Sequence, residues 1–198
     1  MLNPNAKPLI NLSITPSKSN VAARSGAEIY YSIKVQVGTL NTTSTSQRPA
    51  INAFVCIDRS GSMSGLKMQN AITAATKLIE ILEDRDSLTL IGFDDKIEQR
   101  FFGRMSSVAR GDATRFVQGL WARGGTDFER PLSQIREAQI TPDRIFFFSD
   151  GQVQSGNQDL SYLRSLCGNV SVATFGIGDD WNQDTMSGLR SGSAGMYH

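Results

Sequence analysis

The sequence predicts a doubly wound α/β fold, a mainly parallel six-stranded sheet with helices on both faces, preceded by two N-terminal β-strands. Beyond residue 50, short and nearly continuous apolar runs alternate with segments of helical period. That is the pattern of strands buried on both faces and joined by crossover helices. Before residue 50 the runs are β-rich, and a Gly/Thr/Ser/Asn/Gln segment over 38–49, ending at Pro49, separates them from the rest. Such a segment has nothing to bury and reads as a linker.

The first two strands are expected over 9–14 and 28–37. The second alternates through Ile29, Tyr31, Ile33, Val35 and Val37, with period two on one half-buried face. After the linker, 51–57 forms a strand, and Met68, Ile72, Ala75, Ile79 and Leu82 then recur at helical spacing between Ser64 and Asp84. A strand at 87–93, a short β-run at 97–102, and helices at 107–121 and 128–138 follow, with Pro131 tolerable only in a first turn. Next come a strand at 144–148, a helix at 157–166, a strand at 170–176 and a short helix at 183–189, with Met196–His198 opening a sixth strand of the sheet. The domains are therefore expected to be an arm and linker over 1–49 and an α/β domain over 50–198.

Composition narrows the chemistry. With 20 Lys+Arg against 19 Asp+Glu and no long basic run, the chain carries no electrostatic footprint for nucleic acid or an anionic membrane. Neither a signal-peptide pattern nor an apolar stretch of about 20 residues is present, which gives the expectation of a cytoplasmic protein without membrane insertion. The one histidine is His198 and the cysteines are Cys56 and Cys167. That leaves neither a structural zinc set nor the base of a Ser-His-Asp hydrolase. Cys56 lies in an apolar run and Cys167 near a helix end, so both are expected as buried free thiols.

In an open α/β sheet, ligands bind beyond the carboxyl ends of the strands, where the strand order reverses. There the first strand runs into Asp58-Arg59-Ser60-Gly61-Ser62-Met63, the 144–148 strand into Ser149-Asp150-Gly151, and Gly124-Gly125-Thr126-Asp127 opens a helix. Asp58, Ser60, Ser62, Thr126 and Asp150 are all hard oxygen donors, suited to Mg²⁺, Mn²⁺ or Ca²⁺ and not to copper or zinc. The competing reading of the hydroxyls is helix capping, and Asp127 is read as an N-cap or first-turn acid and not a ligand. Gly61–Lys67 misses the spacing of a phosphate-binding loop, and Gly176-Ile177-Gly178 lacks the third glycine of a dinucleotide fingerprint. Phe146, Phe147 and Phe148 are expected in the core.

On these motifs, over about residues 50–198, the chain resembles the von Willebrand factor A family, whose metal-ion-dependent adhesion site has Asp-x-Ser-x-Ser, a distant Thr and a distant Asp in this order. The resemblance implies Ser60 and Ser62 as direct ligands, Thr126 as a direct or water-mediated ligand, and Asp58 and Asp150 acting largely through water. It also implies a non-enzymatic module whose Mg²⁺ (or Mn²⁺/Ca²⁺) takes an Asp or Glu from a partner protein, in adhesion or as an adaptor in multiprotein systems that include an AAA+ ATPase. The alternatives are a phosphoryl-transfer or hydrolytic enzyme, for which Asp94, Asp95 and Asp127 are the candidate bases, and a scaffold whose site is unused. The family domain ends in a further helix that this chain does not reach. The expectation is accordingly a fragment, with the N-terminal strands belonging to an incomplete β-sandwich.

Overall fold

The structure, a computed structural model, describes residues 10–16, 31–37, 48–138 and 141–190. The chain divides into two units, Met1–Arg48 and Pro49–His198. In the first, β1 (Ile10–Pro16) and β2 (Tyr31–Val37) pair antiparallel, from Ile10 opposite Val37 to Pro16 opposite Tyr31. The expected sandwich partners lie outside the described residues.

The second unit runs β3 (Asn52–Asp58), α1 (Leu66–Ile81), β4 (Ser87–Phe93), β5 (Ile97–Arg104), α2 (Ser107–Gln118), α3 (Glu129–Arg136), β6 (Arg144–Ser149), α4 (Leu160–Leu166), β7 (Ser171–Gly176) and α5 (Gln183–Leu189). The strands form one mixed sheet in the order β5-β4-β3-β6-β7. β3 is parallel to both β4 and β6, and β7 is parallel to β6. β5 returns antiparallel to β4 because residues 94–96 are too few for a crossover, and the register shifts at Gly92/Phe93. This sheet has five strands among the described residues; the expected sixth, from Met196, lies outside them.

Alternation along the strands sorts the core into two layers. Ala53, Val55, Ile57, Leu88 and Leu90 meet Met68, Ala71, Ala75 and Ile79 of α1 and Ala113 and Val117 of α2. Phe54, Cys56, Ile91, Phe93, Ile145 and Phe147 meet Leu132 of α3, Leu163 and Leu166 of α4, and Met186 and Leu189 of α5. Each such large side chain contributes about 1.5–3 kcal/mol on burial, which holds the helices to the sheet. Phe147 and Phe148 are buried and Phe146 packs at the margin of the first layer. Both cysteines are buried free thiols.

Helix ends follow local hydrogen bonding. α1 stops at Ile81 and not Asp84, because Leu82 turns extended and the Asp86 carboxylate accepts from the amides of Glu83 and Ile51 at 2.7 and 2.9 Å. α2 begins where the Ser106 hydroxyl accepts from the Ala109 amide at 3.1 Å and ends at Gly119. Pro131 stands in the first turn of α3, where its missing N–H leaves no helical bond unmade. The carboxyl ends of β3, β4, β6 and β7 share one edge, and the chain winds in opposite directions from β3. That places a crevice between the loops after β3 and β6.

Candidate metal centre

Asp58 ends β3 and is fully buried. Its Oδ1 accepts from the Ser60 amide at 2.8 Å and its Oδ2 from the Ser149 hydroxyl at 2.5 Å. The Ser149 Oγ in turn accepts from the Gly151 amide at 2.9 Å, so one serine joins the ends of β3 and β6. Burial pushes the Asp58 carboxyl up to about 6; the bonds from Ser149 and Ser60 offset part of this, and the Asp150 carboxylate adds to it.

After Asp58 the chain makes one turn of 3-10 helix over Gly61–Met63, which brings the Ser60 and Ser62 hydroxyls to 3.1 Å from each other. Main-chain bonds draw the loop before α3 alongside: the Arg123 amide donates to the Arg59 carbonyl at 2.7 Å, and the Gly61 amide to the Gly124 carbonyl at 3.0 Å. Gly124 holds φ +68°, and a Cβ there would lie 2.8 Å from Asp95 Oδ1 and 3.3 Å from Asp94. The Thr126 carbonyl accepts from the amides of Gln154 and Ser155, both at 3.0 Å, which fastens the same loop to the segment after Asp150.

Thr126 is fully buried and its hydroxyl makes no hydrogen bond. Buried hydroxyls are costly unless satisfied, so this orphaned oxygen beside the serine turn is the observation that tests the fit of a cation. The donors fit: three hydroxyls and two carboxylates suit a hard dication. Among the described residues no three His, Cys, Asp or Glu side chains cluster, so a cation here would lean on hydroxyls as much as on carboxylates.

The buried Asp150 follows β6. Its Oδ1 accepts from the Gln152 amide at 3.2 Å, and its Oδ2 pairs with the Lys67 ammonium at 3.0 Å. Lys67 also pairs with Asp180 Oδ1 at 2.7 Å. Partial burial works against the lysine charge, yet the bonds to Asp180 and Asp150 outweigh it and hold Lys67 above the ordinary lysine range. Below the turn, the fully buried Arg59 pairs with Asp94 at 3.1 Å, and Asp94 also accepts from Arg123 at 3.0 Å and from the Lys96 amide at 2.7 Å. Burial opposes ionisation of Asp94, but these donors hold its carboxyl below its usual value. Trp121, 54% exposed, has the Arg59 and Arg123 guanidinium groups 5.9 and 6.0 Å from its ring centroid.

All five predicted site residues thus lie on the β3, β6 and pre-α3 loops, which are bonded to one another. Asp127 is not the N-cap of α3, which is Phe128, but stands one residue before it, where it accepts from the Glu129 amide and pairs with Arg130, each at 3.0 Å. Sequence reasoning missed Lys67 and the linking role of Ser149. A signal for Lys67 existed, since a lysine in the first turn of a 16-residue helix opposes the helix dipole.

The family model described as von Willebrand factor type A domain matches residues 52–198. Among curated relatives, "Uncharacterized protein sll0103" of Synechocystis sp. is 29% identical over 161 residues, covering 75% of this chain and 37% of its own length. Inter-alpha-trypsin inhibitor heavy chain H2 of Mus musculus is 26% identical over 163 residues, covering 73% of this chain and 17% of its own. The chain therefore spans well under half of these relatives. Among solved structures, a von Willebrand factor type A protein from Catenulispora acidiphila superposes with TM-score 0.62 at 21% identity, over 96% of this chain and 45% of that one. Proximal thread matrix protein 1 from the mussel byssus, with a zinc-occupied MIDAS motif, gives TM-score 0.59 at 15% identity over 72% and 41%. No helix of the described residues is long and apolar enough to cross a membrane.

Proposed function

The chain belongs to the von Willebrand factor type A domain family, and from that premise we propose that it is a metal-dependent protein-interaction module. Ser60, Ser62 and Thr126 hold a divalent cation, with Asp58 and Asp150 balancing its charge, and an acidic side chain of a partner protein completes its coordination. The buried and unbonded Thr126 hydroxyl is the observation that carries this reading. No described residue bonds to it, and a cation beside the serine turn would satisfy it.

Mg²⁺ fits the donor set best, because it gives up its water reluctantly and keeps positions open to an outside oxygen. The name of the mussel relative attests zinc at such a motif, so the preference among divalent ions is part of the proposal. Binding is favoured over turnover because Asp94 and Asp127, two of the three candidate bases, are tied to Arg59, Arg123 and Arg130. The partner is a component of an adhesive surface or of an adaptor assembly with an AAA+ ATPase.

Calorimetric titration of Mg²⁺ and Mn²⁺ into chelator-treated protein tests the site, using wild type and Thr126→Val. The valine keeps the shape and deletes the orphaned hydroxyl. Metal-free Thr126→Val should melt higher than wild type, by the equivalent of about 1 kcal/mol, and should bind metal at least tenfold more weakly. Thr126→Val binding metal as well as wild type does, or wild type binding none at millimolar concentration, would remove the cation from the function. With metal present, capture of a protein partner should fail in EDTA and in Ser60→Ala.

A further inference from the structure

Lys67 occupies an unfavourable place on its helix. It is the second residue of α1, whose first turn contains no acidic residue, and a cation there is opposed by the positive end of the helix dipole. Its stem lies close over Gly178, where an added Cβ would sit 2.5 Å from the lysine Cε. Gly178 holds φ +91°, so the β7–α5 turn is shaped to let the side chain pass. The ammonium then ends between two carboxylates of different character. Asp150 is buried, at 3.0 Å, and belongs to the metal site; Asp180 is an exposed residue of the β7–α5 turn, at 2.7 Å. That turn is itself fastened to the site, since the Asn182 amide donates to the Asp150 carbonyl at 2.7 Å and the Gln152 side chain to the Asp180 carbonyl at 3.1 Å.

We propose that Lys67 is the built-in counter-cation of the site and sets its metal affinity: the ammonium and an incoming dication compete for Asp150, and Asp180 retains the lysine when the dication wins. This rests on the reading of the site as a cation site. A buried carboxylate without a counter-charge is expensive, and Lys67 removes that cost in the metal-free protein. The same charge repels a dication, so the site binds metal more weakly than its oxygens alone would. Asp180 is the reservoir that makes the exchange cheap, because the lysine moves off one carboxylate without losing the other. By linkage, Asp180 favours metal binding by as much as it holds Lys67 more tightly once the lysine has left Asp150.

The test is calorimetric titration of Mn²⁺ into wild type, Lys67→Met, Lys67→Arg, Asp180→Asn and the Lys67→Met/Asp180→Asn double variant, with folding checked by circular dichroism. Methionine keeps the stem over Gly178 and deletes the charge. Lys67→Met should bind Mn²⁺ about tenfold more tightly than wild type at low salt, with the gap narrowing in high salt. Lys67→Arg should keep affinity near wild type. Asp180→Asn should weaken binding several-fold, and in the Lys67→Met background it should change nothing, as a double-mutant cycle requires when both act through one contact. A folded Lys67→Met with unchanged or weaker affinity, while wild type binds Mn²⁺, would overturn the role of Lys67 and leave the metal site standing. Absence of binding in wild type and Lys67→Met alike would overturn both.

Discussion

The buried Asp58 carboxylate is held by two donors and faced by a second carboxylate, that of Asp150. A carboxyl raised in the folded state binds its proton more tightly there than in the unfolded chain. Stability therefore falls as pH rises from the ordinary value of 3.8 through about 6, and stays low above it. The full cost is up to about 3 kcal/mol. The lowered carboxyls of Asp94, Asp180 and Glu129 act in the opposite direction and lose their stabilising contribution below their unfolded values, in more acidic solution than this window. In EDTA, the melting temperature should drop between pH 5 and pH 7, and Asp58→Asn should flatten that slope. A wild-type profile equally flat in EDTA would show that Asp58 is not held as described.

At the scale of elements, the site is a joint between two loops bonded through their backbones. Gly124 cannot take a side chain without strain: its left-handed backbone costs an L-residue about 1–2 kcal/mol, and a Cβ would press on Asp94 and Asp95. Gly61, its bonding partner, would bring an added Cβ only into ordinary contact, 3.4 Å from the Gly124 carbonyl oxygen. Gly124→Ala should thus lower the unfolding free energy by about 1–3 kcal/mol and weaken metal binding, while Gly61→Ala should cost under about 1 kcal/mol. Equal effects in urea melts would contradict the asymmetry. The three site motifs were legible because each sits at a strand end or helix start, where composition and period both change. The partner of Lys67 was not legible, because helical periodicity assigns a polar residue to solvent and is silent about a carboxylate 83 residues away. The short run at 97–102 was readable as β, but its direction was set only by the three-residue link from β4.

For the whole molecule, the two-layer core follows from strand patterns that sequence displays directly: Ala53, Val55 and Ile57 on one side of β3, Phe54 and Cys56 on the other. Helix ends were less legible, since α1 is cut short by the Asp86 carboxylate and not by any helix-breaking residue. Both thiols lie in the layer that packs on α3, α4 and α5. Burial pushes Cys167 up to about 11 and Cys56 well above its usual value. Neither should react with a thiol reagent at pH 8 while the domain is folded, and both should react within minutes in denaturant. Fast reaction of the native protein would mean that this layer opens readily.

The links from Arg123 to Arg59 and from Gly61 to Gly124 run from amide to carbonyl. Such ties do not depend on which side chains decorate them. Exchange of Trp121, two positions from this seam, would remove the ring that the Arg59 and Arg123 guanidinium groups lie against and leave the amide-to-carbonyl ties themselves in place.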